Sequence, residues 1–228
     1  MNIKENLEKL LKEVPPDVKI IVVSKTRSIN EILELYNSGQ RLFGENKAQE
    51  LMTKQPFLPS DIEWHFIGHL QTNKVRQIAP FIDTIQSIDS FKLLQMVNKE
   101  AGRYDRMIKC LLQFHIATED TKFGLDLDEA KALLESYKKE PMENIKITGV
   151  MGMASYSDDL NLVRKEFNMI KQYYQLLKSE FFPHNPEFRE ISIGMSGDYK
   201  LAIQEGSTMI RLGTAVFGER DYHKSSTP

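Results

Sequence analysis

Eight short apolar runs, each separated from the next by a longer stretch, constrain this chain more than any other feature. Runs rich in Val, Ile, Phe and Leu recur near 20–24, 41–44, 62–67, 84–88, 108–116, 146–152, 190–194 and 208–212. Between them, Ile29, Ile32, Leu33, Leu35 and Tyr36 recur at helical spacing, the signature of an amphipathic helix. Asp89 stands in the N-cap position of a stretch carrying Leu93, Leu94, Met96 and Val97. Leu162, Phe167, Ile170, Tyr173, Tyr174, Leu177 and Phe181 line a long helix over 159–181. A strand reaches a parallel neighbour only through a crossover, so helix-linked strands imply parallel pairing. Eight such units predict an α/β fold, a single closed (β/α)8 barrel of the TIM type with an additional helix at 1–13. The competing open, doubly wound sheet is weakened because neither GxGxxG nor GxxxxGK[ST] occurs. With no internal repeat, low-complexity segment or long linker, the expectation is one domain over 1–222 and a polar tail over 223–228.

Charge and cysteine content narrow the classes of function. The chain has 228 residues, 30 basic and 32 acidic side chains and a formal net charge of −2. That balance gives no support to a nucleic-acid or membrane-surface protein. Cys110 is the single cysteine, so no intrachain disulfide forms, and its strand-like setting reads as a buried small hydrophobe. A reducing compartment is favoured. The first residues lack the apolar core of a signal peptide, and no apolar run approaches the ~18 residues of a membrane span. A cytoplasmic location is expected.

Three segments could carry chemistry. Ile20-Ile21-Val22-Val23 runs at once into Ser24-Lys25-Thr26, which places a lysine at a strand's carboxyl end, where a barrel binds its ligands. Desolvation or nearby cations give such an amine a lowered pKa, and the neutral form attacks aldehydes. Taken singly, a lysine that ends a strand and reaches water is the commoner case. Met195-Ser196-Gly197-Asp198 follows the seventh run and opens a helix over 199–205. Free N–H groups and the helix dipole there favour phosphate, although, taken singly, capping by Ser196 or Asp198 is the commoner explanation of such a segment. Arg211-Leu212-Gly213-Thr214 leaves the eighth run in the same manner, and loops after strands seven and eight are the recurrent phosphate site of this architecture. Together they supply an aldehyde partner and a dianion partner. His65 and His69 form HxxxH on a strand and loop, where this spacing does not converge on a metal. They read as a barrel-interior and a loop histidine, and no metal site is expected. Glu45 could orient Lys25 or Asn46, or pair with a nearby lysine.

The motifs in order become specific. Val23-Ser24-Lys25-Thr26, Phe43-Gly44-Glu45-Asn46, Trp64-His65-Phe66-Ile67-Gly68-His69-Leu70-Gln71-Thr72-Asn73-Lys74, Gly194-Met195-Ser196-Gly197-Asp198 and Arg211-Leu212-Gly213-Thr214-Ala215-Val216-Phe217-Gly218 resemble the pyridoxal phosphate homeostasis protein family across nearly the whole chain. The resemblance implies a barrel similar to the N-terminal half of alanine racemase, without its C-terminal β-domain, holding pyridoxal 5′-phosphate (PLP) as a Schiff base. Lys25 matches the family's PLP lysine. Ser196, Gly213 and Thr214 match its phosphate-binding positions, with Gly197 beside them. Arg211 matches the arginine that approaches the pyridine nitrogen, and Asn46 and Met151 fall at motif positions near the ring. The chain departs from the family at Gln113-Phe114-His115-Ile116-Ala117-Thr118, where an Asn at 115 is more usual.

The chemistry of Arg211 bears on activity. A guanidinium stays protonated and would leave the pyridine nitrogen neutral, which weakens the ring as an electron sink. Racemases with such an arginine use a second acid–base from another domain, and only sixteen residues of this chain follow the eighth run. The expectation is a non-enzyme that buffers or delivers PLP to PLP-dependent apo-enzymes, as a monomer. The alternatives are a racemase-like enzyme completed by a partner chain and a barrel that binds another phosphorylated metabolite without a covalent bond.

Overall fold

In the computed structural model, residues 2–116 and 123–219 are described. Ala117, Thr118 and the tail over 223–228 lie outside the described residues. The chain opens with α1 (Ile3–Glu13), after which strands and helices alternate: β1 (Lys19–Val23), α2 (Ile29–Asn37), β2 (Leu42–Glu45), α3 (Ala48–Lys54), β3 (Glu63–Phe66), α4 (Val75–Ile78), β4 (Ile82–Ile88) and α5 (Phe91–Gly102). The second half runs β5 (Ile108–Phe114), α6 (Leu127–Lys139), β6 (Ile145–Gly152), α7 (Leu160–Phe181), β7 (Glu190–Met195), α8 (Tyr199–Gln204), β8 (Met209–Leu212) and α9 (Thr214–Phe217). The strands close in sequence order, β1 to β8, into a barrel, and β8 pairs in parallel with β1 through Ile21 opposite Arg211 and Val22 opposite Leu212.

The local causes are readable. Asn2 accepts the Lys4 N–H while Glu5 reaches back to the Asn2 N–H, a capping box that starts α1. Ser28 and Asp126 do the same for α2 and α6. One cap differs from the sequence reading. Ser90, not Asp89, caps α5 by accepting the Leu93 N–H, which leaves the Asp89 carboxylate 3.1 Å from His69 Nδ1.

Burial on both sheet faces explains why several strands read as continuous apolar runs. Outward-facing residues such as Val22, Phe43, Trp64, Ile85 and Leu112 join the helices in one large core. Ile21, Leu111, Met151 and Met209, with Leu42 packed against them, form a separate apolar layer. Gly194, at φ 96°, turns the chain from β7 into the loop before α8, and a Cβ there would stand 2.5 Å from that of Ala202. A side chain at 194 would push α8 off the sheet. No described helix is long and apolar enough to cross a membrane.

Candidate functional site at the carboxyl rim of the barrel

Lys25 leaves β1 half-buried, between the fully buried Ser24 and the exposed Thr26. Its strand lies against β8, and a Cβ on Gly213 would be 3.7 Å from Val23 Cβ. The lysine loop and the loop after β8 therefore leave the barrel side by side on one rim. On the other flank, the Ser24 N–H donates to Gly44 O at 3.0 Å, so Asn46, after β2, borders the same edge. Asn46 is half-buried and is met by Gly68, where a Cβ would lie 2.2 Å from Asn46 O.

The loops after β7 and β8 are tied by one hydroxyl. Ser196 Oγ accepts the N–H groups of Gly213 and Ala215, each at 3.1 Å. It makes no hydrogen bond as a donor among the described residues, so its proton is available to an incoming acceptor. Neither expected cap operates at α8. Asp198 occupies the N-cap position without capping, and its carboxylate instead accepts the Met195 N–H at 2.5 Å. Burial raises the Asp198 pKa above the ordinary range, partly opposed by that N–H and by Arg211. Among the described residues no side chain caps the leading N–H groups of α8. Gly197 is exposed, with nothing within 4 Å of where a Cβ would sit. Thr214, also exposed, begins α9.

Arg211 is buried and lies beneath this rim. Its Nη1 donates to Ser192 Oγ at 2.6 Å and Ser192 O at 2.9 Å, and Nη2 donates to Gly152 O at 2.9 Å. Burial lowers its pKa to about 10, against the attraction of Asp198, so it is protonated at neutral pH. The hydrogen-bond chain continues inward: Ser192 Oγ donates to Gln86 Oε1 at 2.7 Å, and Gln86 Nε2 lies 2.9 Å from His65 Nδ1. Burial, with Lys19 and Lys109 nearby, lowers the His65 pKa to about 3. A neutral His65 accepts from the Gln86 amide through Nδ1, which puts its proton on Nε2. Met151 is fully buried in the apolar layer with Ile21, Leu111 and Met209.

The eight sequence-selected residues thus hang on five consecutive staves of the closed barrel, β6, β7, β8, β1 and β2. His69, on the loop after β3, is stacked on Phe123 with ring centroids 3.5 Å apart. Among the described residues no group of three or more His, Cys, Asp or Glu side chains is placed to hold a metal.

Glu45 pairs with Lys54 at 2.8 Å and accepts from Ser24 Oγ at 2.7 Å. Burial raises its pKa, opposed by Lys54 and Ser24. Lys54 and Glu50 were not singled out by sequence, although their i,i+4 spacing at the end of a helical stretch was visible. A lysine is so seldom buried that its spacing alone reads as a solvated pair.

Comparison with known proteins agrees with this architecture. Residues 1–221 match the family described as alanine racemase, N-terminal domain. A pyridoxal phosphate homeostasis protein of Vibrio alginolyticus is 34% identical over 236 residues, covering 97% of this chain and 99% of that one. The protein of the same name from Homo sapiens is 33% identical, over 99% and 87% of the two chains. PipY of Synechococcus elongatus PCC7942, solved with PLP bound, superposes with a TM-score of 0.84 at 34% identity, over 95% of this chain and 100% of that one. Alanine racemase of Clostridium difficile, 13% identical with a TM-score of 0.74, shares the fold over 97% of this chain and 58% of its own. By fold, length of match and identity, this chain belongs to the pyridoxal phosphate homeostasis protein family.

Proposed function

We propose that this chain binds PLP at the carboxyl rim through Lys25 and the loops after β7 and β8, and that it holds and passes on the cofactor without substantial catalysis of its own. The observation that carries the reading is the β1–β8 pairing, which sets the lysine loop beside Gly213 on one rim. When bound, the cofactor supplies an aldehyde that condenses with an amine and a phosphate dianion that seeks N–H and O–H donors.

The residues present fit both ends of such a molecule. Ser196 has a hydroxyl proton to give, the first N–H groups of α8 lack a cap, and Gly197 leaves open space at the loop. These are the donors a dianion needs. Asn46 and Arg211 border and underlie the same mouth, and Met151 belongs to the apolar layer inside the barrel. Arg211, protonated and held by Ser192 and Gly152, cannot accept a proton from a ring nitrogen and so gives poor support to carbanion chemistry. The relatives' name, homeostasis protein, supports a carrier over a catalyst. Delivery to PLP-dependent apo-enzymes and a monomeric state belong to the same proposal, as does a cytoplasmic location.

The test is borohydride reduction of protein incubated with PLP, followed by peptide mapping. The adduct is expected on Lys25, with absorbance near ~420 nm before reduction and neither signal in Lys25→Ala. An adduct only on other lysines would overturn the assignment of Lys25. Sustained formation of a D-amino acid that disappears in Lys25→Ala would overturn the carrier reading in favour of an enzyme.

A further inference from the structure

Both peptide groups that flank Lys25 are held by side chains of α3. Lys54 Nζ donates to Ser24 O at 2.8 Å, to Glu45 Oε1 at 2.8 Å and to Glu50 Oε1 at 2.6 Å. Glu50 Oε1 in turn accepts the Thr26 N–H at 2.5 Å, and Ser24 Oγ donates to Glu45. One ammonium and one carboxylate thus grip the carbonyl before Lys25 and the N–H after it.

We infer that Lys54 and Glu50 are positioning residues for Lys25, a clamp that fixes the direction in which its side chain enters the barrel mouth. The inference deepens the PLP-binding reading and rests on it. Lys54 is 7% exposed and Glu45 wholly buried, and among the described residues Glu45 Oε2 has no hydrogen-bond partner. A buried ionic cluster with an unsatisfied oxygen is a poor way to gain stability, because an apolar cluster of similar volume is often at least as stable. Here, though, the donors and acceptors are spent on the loop that bears the lysine. Thr26 supplies an independent sign. Its φ of 65° is left-handed, a conformation unfavourable for a β-branched residue that persists only where the surroundings enforce it. Glu50 is the group that holds its N–H. Lys54 itself stays at the back of the loop, so Lys25 remains the amine that meets the aldehyde.

Lys54→Met keeps the length of the stem and removes the charge, whereas Glu50→Gln leaves Lys54 in place and weakens both the hold on the Thr26 N–H and the ion pair to Lys54. Wild type and both variants are compared by the rate of Lys25 adduct formation, read at ~420 nm and by borohydride trapping, and by affinity for pyridoxamine 5′-phosphate, which has the ring and phosphate but no aldehyde. A misdirected amine slows adduct formation about tenfold in both variants while pyridoxamine 5′-phosphate affinity stays within about twofold. Adduct rates within about twofold of wild type would overturn the clamp, as would a parallel loss of pyridoxamine 5′-phosphate affinity, which marks general damage to the rim. Should Lys54→Met fail to fold, judged by circular dichroism, Glu50→Gln alone decides by the same criteria. Failure of the wild type to trap on Lys25 would instead remove the PLP reading, and the clamp with it.

Discussion

Arg211 Nη1 lies 2.6 Å from Ser192 Oγ, and this contact begins a buried polar chain that crosses the barrel interior to Gln86 and His65. The chain is directional: each group donates inward to the next until the amide reaches the neutral imidazole. Its physical role is to hold a guanidinium in an interior that would otherwise exclude it, since among the described residues no carboxylate lies within hydrogen-bond reach of the arginine side chain.

Ser192→Ala leaves Gln86 Oε1 without its donor and costs Arg211 one acceptor. Unsatisfied buried groups of this kind cost about 1–3 kcal/mol. Urea unfolding of the variant should show that loss in midpoint with an unchanged slope. A midpoint equal to wild type would mean that the chain contributes nothing to stability.

His65 confers an acid-side pH dependence. Its pKa is about 3 in the fold against about 6.5 in the unfolded chain. The unfolded state therefore binds more protons between those values, and this contribution is complete above about pH 6.5 and lost as pH falls towards 3. The slope from this one group reaches at most about 1.4 kcal/mol per pH unit. Denaturant unfolding between pH 7 and 4 should show a steeper decline in wild type than in His65→Gln, and equal slopes would contradict a buried neutral histidine.

Ser196→Ala removes the acceptor shared by the Gly213 and Ala215 N–H groups and the hydroxyl proton that the proposed PLP site would offer to the phosphate. Loss of a hydrogen bond to a charged group, worth about 1.5–3 kcal/mol, weakens PLP binding about ten- to hundredfold. Pyridoxal, which lacks the phosphate, should bind both proteins alike. Equal weakening of the two ligands would place Ser196 outside the phosphate cup.

Gly68→Ala forces a methyl group against Asn46 O, 2.2 Å from where its Cβ must stand. Because the obstacle is backbone, the loop after β2 has to move, at about 1–3 kcal/mol for overpacking of this kind. A lower melting temperature together with slower Lys25 adduct formation is expected. Unchanged values of both would show that the loop yields without consequence for the rim.

Much of this was legible along the chain because its causes are local. Lys25, Ser196 and Gly213 sit just after apolar runs, and a run's end is visible in sequence. The Ser90 cap was missed because Asp89 and Ser90 are both good N-cap residues. Their choice depends on His69, which lies twenty residues away and takes up Asp89. Lys54 was invisible for a related reason. Its burial follows from Ser24 and Glu45, contributed by two other staves of the barrel.

The sequence by itself determined the period of the elements, and with it a parallel barrel whose ligand-facing rim carries Lys25 and the two small-residue loops. Apolar spacing and strand-ending residues encode such features directly, since they depend on neighbours a few positions apart. Only the closed tertiary structure decided which polar groups are buried and with whom: Glu45 with Lys54, Arg211 with Ser192, and Ser196 bridging two loops. Those pairings depend on closure, because the β8–β1 seam joins residues nearly two hundred positions apart, and desolvation then makes each partner's placement energetically consequential.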